Sequence, residues 1–471
     1  MKQFFLERRH FFCLLTPALF GLVYLFLCMI NSNQSVNLVE SQNIYLTRFG
    51  VFDAIKNAPQ SANLPFYYLV LNLWSHVLGN AVYSMRLLSA IFGAASIFFA
   101  FKWAKYKYGA KAGIFSAFFL SICPFMVFSG QSVQANTLIA LETFASMYFL
   151  QLTIDTRGKQ WWFVYTIILI LGLWTHLSFV LVLVAQLIYV ISIYKKDFIH
   201  KKLFISFTLA ALAFIPGVIL SNLPQAFDAS LSTLGEVFSE MSIYERADSL
   251  KGLVLLLLIS NASFVIYLFT KTKRKPIMPV LLTVVPTTLL FVLSVVFSFV
   301  PFSSQWLAFV PAAFCMIISV LLATQMNKRF KRRFLYRKYF RIIFGVLVFV
   351  STSAIGVYKV SQKANYDFVS DFRPAANLLF ENIDILSYEN EPIVASSEEL
   401  YYELSVYENS KHQVINSADD WGGLLENGKQ FWYVSTSDET LPDSKLEIEE
   451  QITLNLDKYS PSYYLYRLST R

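Results

Sequence analysis

Apolar residues run in blocks of about twenty along the first 360 positions, and then the pattern gives way to a polar tail. A spanning helix needs roughly 20 apolar residues. The blocks predict eleven spans: 11–30, 84–103, 112–128, 134–153, 160–175, 177–194, 203–220, 251–270, 277–298, 305–324 and 342–360. Spans 160–175 and 177–194 share a very short connection at Trp174-Thr175-His176. The first block, FFCLLTPALFGLVYLFLCMI, exceeds the roughly 7–15-residue core of a signal peptide and has no small-residue cleavage site after it. It reads as an uncleaved first span.

Beyond residue 360 the periodicity changes. EPIVASS (391–397), QVINSA (413–418) and KQFWYVST (429–436) predict short strands. DFRPAANLLFENI (371–383) and SEELYYELSVYE (397–408) predict amphipathic helices. The expected architecture is mainly α: a polytopic membrane domain over 1–360 and a small α/β domain over 361–471.

Composition agrees. The chain is 56% hydrophobic and 15% charged, against about 25% charge in soluble domains. The net charge of +8 does not argue for nucleic-acid binding, because in a membrane protein the placement of Lys and Arg matters more than their sum. With the N-terminus inside, each inner segment holds between two and eight basic residues, the last being NKRFKRRFLYRKYFR (327–341). The outer side before residue 359 has only Arg48, Lys56, Arg86, Arg246 and Lys251. This asymmetry predicts a multi-pass protein of the cell membrane with a cytoplasmic N-terminus and an extracytoplasmic tail domain. All four cysteines lie in apolar runs, so no disulfide framework is implied, and no His/Cys cluster has metal-ligand spacing.

Two outer loops are large, 31–83 and 221–250. The first ends in SANLPFYYLVLNLWSHVLG (61–79), too short to span and rich in Tyr and Trp, which favour the headgroup level. With Pro65 as a helix-start residue, the pattern predicts an interfacial helix. The second, LPQAFDASLSTLGEVFSEMSIYERADS (223–249), mixes acids with apolar residues at near-helical spacing. It reads equally as a lid or as a connector.

Particular motifs sharpen this. Asn63-Leu64-Pro65-Phe66-Tyr67-Tyr68, Leu73-Trp74, Arg86-Leu87-Leu88-Ser89-Ala90, Cys123-Pro124, Ser129-Gly130-Gln131 and the block WTHLSF (174–179) occur in order, and Asp371-Phe372-Arg373-Pro374-Ala375-Ala376 opens the tail. This series resembles the GT-C fold glycosyltransferases that use polyprenyl-phosphate sugars, the protein O-mannosyltransferase and aminoarabinose transferase relatives. The resemblance is motif-specific over about 36–180. It implies a sugar transfer, hexosyl or pentosyl, from a lipid phosphate to an envelope glycan, lipid or protein acceptor on the outer face. A carboxylate would take the acceptor proton, and cations or hydrogen-bond donors would stabilise the departing phosphate.

The resemblance puts Glu40 in the slot for the base, one residue beyond the family's usual Asp, with Asp53 as a second candidate. Bland alternatives are solvated loop carboxylates. For the donor phosphate and substrate it points to Arg86, Asn63, Tyr67, Tyr68, Gln131, Gln134, His176, Gln305 and Arg246. Headgroup anchoring or helix-end capping would explain several of these equally. Some family charges are neutral here. Asn63 stands where the family has His, Ser132 and Gln134 where it has Glu and Arg, and Gln305-Trp306 where Arg-Tyr is common. No cofactor follows from the sequence, and divalent-metal assistance is left open. Glu142 lies within the span 134–153, and a carboxyl group in lipid is a functional candidate by default; by sequence it sits well below the proposed catalytic layer. Two rival readings stand beside the enzyme. One is a degenerate homologue that binds lipid-linked glycan or partners. The other is a lipid-linked saccharide transporter, disfavoured by the lack of an inverted repeat.

Overall fold

The computed structural model describes residues 2–30, 36, 38–50, 54, 64–194, 197–220, 243–269, 275–296, 307, 309–327, 343, 350–351, 376, 379–384, 391–407, 412–416, 430–435, 446–454 and 463–470. The chain packs as two units. One comprises Met1–Ser32 with Phe49–Val360, the other Asn33–Arg48 with Ser361–Arg471.

The first unit is helical. Its elements are α1 (Lys2–Met29), α3 (Pro65–Leu78), α4 (Val82–Tyr108), α5 (Ala110–Ser121), α6 (Pro124–Gly130), α7 (Asn136–Thr156), α8 (Lys159–Thr175), α9 (Phe179–Ile193), α10 (Asp197–Leu220), α11 (Ile243–Phe269), α12 (Ile277–Val296) and α13 (Phe309–Asn327); α2 belongs to the second unit. These helices occupy the first ten predicted blocks, and the block 342–360 lies almost wholly outside the described residues. Four described stretches, Val82–Tyr108, Asn136–Thr156, Ile199–Pro216 and Phe309–Met326, are long and apolar enough to cross a membrane. A fifth is added if α5 and α6 count as one broken span.

The predicted span 112–128 is in fact that broken pair, bent by 58°. Pro124 cannot donate to the preceding turn and pushes Cys123 into extended backbone, φ −70°, ψ 119°. Close packing near this bend depends on small residues, as is usual between membrane helices. Gly93 of α4 and Gly130 of α6 leave room for the ring of Tyr24, whose hydroxyl donates to the Met126 carbonyl at 2.7 Å.

α3 begins where Pro65 predicts, with Leu64 as its N-cap. One face, Tyr67, Tyr68, Leu71 and Asn72, is buried. The opposite stripe, Leu69, Leu73 and Val77, is apolar yet exposed, the surface of a helix lying against lipid. Asn72 Nδ2 donates to the Phe49 carbonyl at 2.8 Å and Trp74 Nε1 to the Ser84 carbonyl at 2.9 Å, which tie down the C-terminal half of the helix.

The second unit contains α2 (Leu38–Leu46), α14 (Glu398–Tyr407) and a five-stranded sheet: β1 (Ile393–Ala395), β2 (Val414–Asn416), β3 (Phe431–Ser435), β4 (Leu446–Leu454) and β5 (Tyr463–Thr470). Strand order is β2-β1-β3-β5-β4. β1 is parallel to β2 and β3, and β5 is antiparallel to β3 and β4. The three predicted strands and the helix at 397–408 are present, and residues 379–384, overlapping the segment predicted as 371–383, are helical. Leu379, Phe380 and Ile383 pack on Leu400, Leu404, Trp432 and Val434 to form one core.

Residues 33–48, expected with the membrane domain, pack in this second unit. The Tyr45 ring meets Tyr401 and Tyr402 edge-on, with centroids 5.3 and 5.5 Å away. The Val36 amide donates to the Tyr407 hydroxyl at 3.3 Å, and the Arg48 guanidinium donates to the Ser405 carbonyl.

Candidate active site

One end of the helical unit gathers polar groups from three helices. Helix α8 stops at Thr175, and a three-residue turn, His176-Leu177-Ser178, reverses the chain into α9. The Leu64 amide donates to the Thr175 carbonyl at 2.9 Å, tying the start of α3 to this turn. Thr175 Oγ1 lies 2.7 Å from Oε1 of Glu142 on α7 and 2.9 Å from the Leu171 carbonyl. Glu142 Oε2 is buried and has no hydrogen-bond partner among the described residues.

His176 is buried. Its Nδ1 accepts from the Ser178 amide at 3.0 Å and lies 2.8 Å from Ser178 Oγ. An accepting Nδ1 fixes the tautomer that carries its proton on Nε2, so the ring is set to donate from that nitrogen.

The linker from α6 to α7 adds amides and hydroxyls. Gln131 Nε2 donates to the carbonyls of Ile30 at 3.1 Å and Leu27 at 3.3 Å, so this side chain caps the end of α1. Gln134 Oε1 accepts from Asn136 Nδ2 at 2.8 Å. Arg86, one turn into α4, is only 4% exposed, which a cation merely snorkelling to headgroups would not be. Tyr67 and Tyr68 are both buried, their rings 5.8 Å apart.

Glu40 stands in the first turn of α2 and is 1% exposed. The solvated-loop alternative therefore does not describe it. Near a helix N-terminus the carboxylate is favoured by the helix dipole. Glu40 belongs to the second unit; Arg86, Gln131, Gln134 and His176 belong to the first. Asp53, Asn63 and Gln305 lie outside the described residues, as does most of the loop 221–250. Arg246 is on α11, with its side chain outside the described set. Among the described residues no three His, Cys, Asp or Glu side chains come together to hold a metal ion.

Glu142 bonds to Thr175 within the turn at 174–178. Thr175 itself, the residue joining three segments, carried no signal in the sequence beyond lying in the WTHLSF block.

Residues 59–220 match the model of a family described as dolichyl-phosphate-mannose-protein mannosyltransferase. Comparison with curated proteins returns no match. Among solved structures, ArnT from Cupriavidus metallidurans bound to undecaprenyl phosphate superposes with a TM-score of 0.60 at 12% identity, covering 96% of this chain and 97% of that one. The Archaeoglobus fulgidus oligosaccharyltransferase in complex with Zn and sulfate gives 0.52 at 12% identity, covering 86% of this chain and 62% of the other. The shared scaffold is the GT-C fold, and the chain is a membrane protein of that fold.

Proposed function

We propose that this GT-C chain is an integral membrane glycosyltransferase that moves a hexosyl or pentosyl unit from a polyprenyl-phosphate donor to an acceptor on the outer face of the cell membrane. The acceptor hydroxyl attacks the anomeric carbon, Glu40 takes its proton, and the bond from sugar to lipid phosphate breaks. The released phosphate keeps the bonding electrons. Arg86 and the tyrosines of α3 are assigned to the donor, with the Nε2–H of His176 as a further donor at the membrane edge. The N-terminus lies in the cytoplasm and the sheet domain outside.

The observation that carries this reading is a buried carboxylate, Glu40, at the slot the motif series gives to the base, in a chain whose scaffold follows a transferase from end to end. That relative was solved with undecaprenyl phosphate, which supports a lipid-phosphate donor here. Membranes containing the full chain should release labelled sugar from a radiolabelled polyprenyl-phosphate sugar onto endogenous acceptor. Glu40→Gln should reduce this by about 10²–10⁴-fold, the range for loss of a general base, while leaving thermal stability in place. Full activity in the Gln variant removes Glu40 from the mechanism.

A specific observation favours a second reading. Asn63, Ser132 and Gln134 replace family charges, and Gln131 is spent on capping α1. A degenerate homologue that binds the lipid-linked sugar without transferring it would show saturable binding and no turnover in the same assay. Transport of the intact lipid-linked saccharide would appear as vectorial movement without transfer.

A further inference from the structure

At the end of the helical unit opposite Thr175, a cavity of about 490 Å³ opens between the ends of four helices. Its lining includes Tyr106, Lys107 and Tyr108 from α4, Asp155 from α7, Tyr189 from α9 and Lys275 just before α12. α4 and α7 each run more than twenty residues from the Thr175 end to this one. Along α4, Arg86 and Lys107 are 21 residues apart, about 30 Å at 1.5 Å per residue and about one bilayer thickness, while Glu142 and Asp155 on α7 are 13 residues apart, about 20 Å. The cavity therefore opens at the other headgroup layer, the inner one by the distribution of basic residues.

Its polar groups are built in. Gln151, 1% exposed, uses its whole amide. Nε2 donates to Asp155 Oδ2 at 2.8 Å and to the Tyr194 hydroxyl at 3.2 Å, and Oε1 accepts from the Tyr189 hydroxyl at 2.9 Å. Lys107 Nζ donates to the Tyr194 hydroxyl at 3.2 Å, and the Tyr108 hydroxyl donates to the Lys275 carbonyl at 3.2 Å. Lys275 Nζ lies 4.6 Å above the Tyr267 ring. Lys107, at the end of α4, and Lys275, just before α12, line one hollow that also holds a positioned carboxylate and three phenols.

We propose that this cavity binds a phosphate ester whose second substituent carries an amine or hydroxyls. The phosphate is held by Lys107 and Lys275, and the substituent by Asp155 and the tyrosine hydroxyls. A lone carboxylate beside two ammonium groups suits such a headgroup better than bare phosphate. Two sources supply this chemistry: a phospholipid headgroup of the inner leaflet, such as phosphoethanolamine, and a soluble phosphate ester.

Native mass spectrometry of the purified full chain, titrated with phosphatidylethanolamine and separately with glycerophosphoethanolamine, tests the site. Lipid adducts that the soluble ester does not displace identify the membrane source, and displacement at comparable concentration identifies the soluble one. In either case the Lys107→Gln/Lys275→Gln variant should bind at least about tenfold more weakly, since charge-assisted hydrogen bonds to phosphate are lost. Lys102→Gln, a lysine of α4 outside the lining, should not change binding. Asp155→Asn should weaken phosphatidylethanolamine more than phosphatidylglycerol. Thermal unfolding without ligand checks that each variant is folded. Equal binding by the double-lysine variant and the native chain, or equal loss with Lys102→Gln, overturns the site.

Discussion

Glu142 and Thr175, 33 residues apart on α7 and α8, meet at 2.7 Å, with one hydroxyl proton between two acceptors. The other acceptor is the Leu171 carbonyl at 2.9 Å. Thr175 can donate only once. Both bonds form together when the Glu142 carboxyl donates to Thr175 Oγ1 and the hydroxyl donates to Leu171. Glutamine can do the same through its NH₂ group. Glu142→Gln should therefore keep near-native thermal stability and sugar transfer. Glu142→Ala should lose about 2–4 kcal/mol, from the cavity and the broken contact. Detergent melts with a turnover assay check both, and a folded but inactive Gln variant would give the carboxyl a role beyond joining helices.

The resemblance points to Gln131 for the donor phosphate, yet its amide is committed to the Ile30 and Leu27 carbonyls at the end of α1. Gln131→Ala should cost about 1 kcal/mol of stability, the worth of a typical hydrogen bond. The KM for the lipid donor should stay unchanged. A raised KM without a lower melting temperature would return Gln131 to the donor site.

The packing of α1 on α4 and α6 depends on two glycines at the Tyr24 ring. A Cβ at Gly93 or Gly130 would fall within the volume of that phenol. Tyr24 is held by its bond to the Met126 carbonyl and cannot swing away freely. Gly93→Ala and Gly130→Ala should each destabilise by about 2–3 kcal/mol through overpacking. Adding Tyr24→Ala, which removes the ring, should recover part of the loss, and unfolding in each background measures it.

The membrane helices were legible because burial in lipid demands an uninterrupted apolar run, a signal that needs no partner. The break at Cys123-Pro124 was not read, because the apolar run 112–128 masked proline's effect on the preceding residue. Nor were strands β4 and β5. LEIEEQITL carries three glutamates, and a register shift between Ile448 and Glu450 interrupts its alternation. α2 was hidden for another reason: nine residues with weak amphipathicity form a helix through tertiary contact, here the Tyr45–Tyr401 packing, more than through propensity. The motif order only gave Glu40 as the expected base slot, while the grouping of its helix with the sheet domain goes with contacts of Tyr45 and Arg48 some 360 residues away in sequence.

Within the sheet domain, Arg467 of β5 reaches across to Glu391 just before β1. Nε lies 3.2 Å from Oε2, Nη2 bonds Oε1, and Nη2 also donates to Gln430 Oε1 at 3.0 Å. Both side chains of the pair are 8% exposed, and the bonds to Glu391 raise the Arg467 guanidinium above its usual pKa. A buried pair is held by mutual compensation, so removing one member leaves an uncompensated charge, at about 3–5 kcal/mol. Glu391→Leu and Arg467→Met should each destabilise this domain strongly. The double variant, which buries no lone charge, should be less destabilised than the sum of the two by more than about 2 kcal/mol. Hydrogen exchange of the full chain reads this out at the amides of β1, β3 and β5, whose protection should fall in each single variant and recover in the double. Additive loss would mean that the pair contributes through shape alone, and that the sheet is held by the Trp432–Leu465 core without help from the charges.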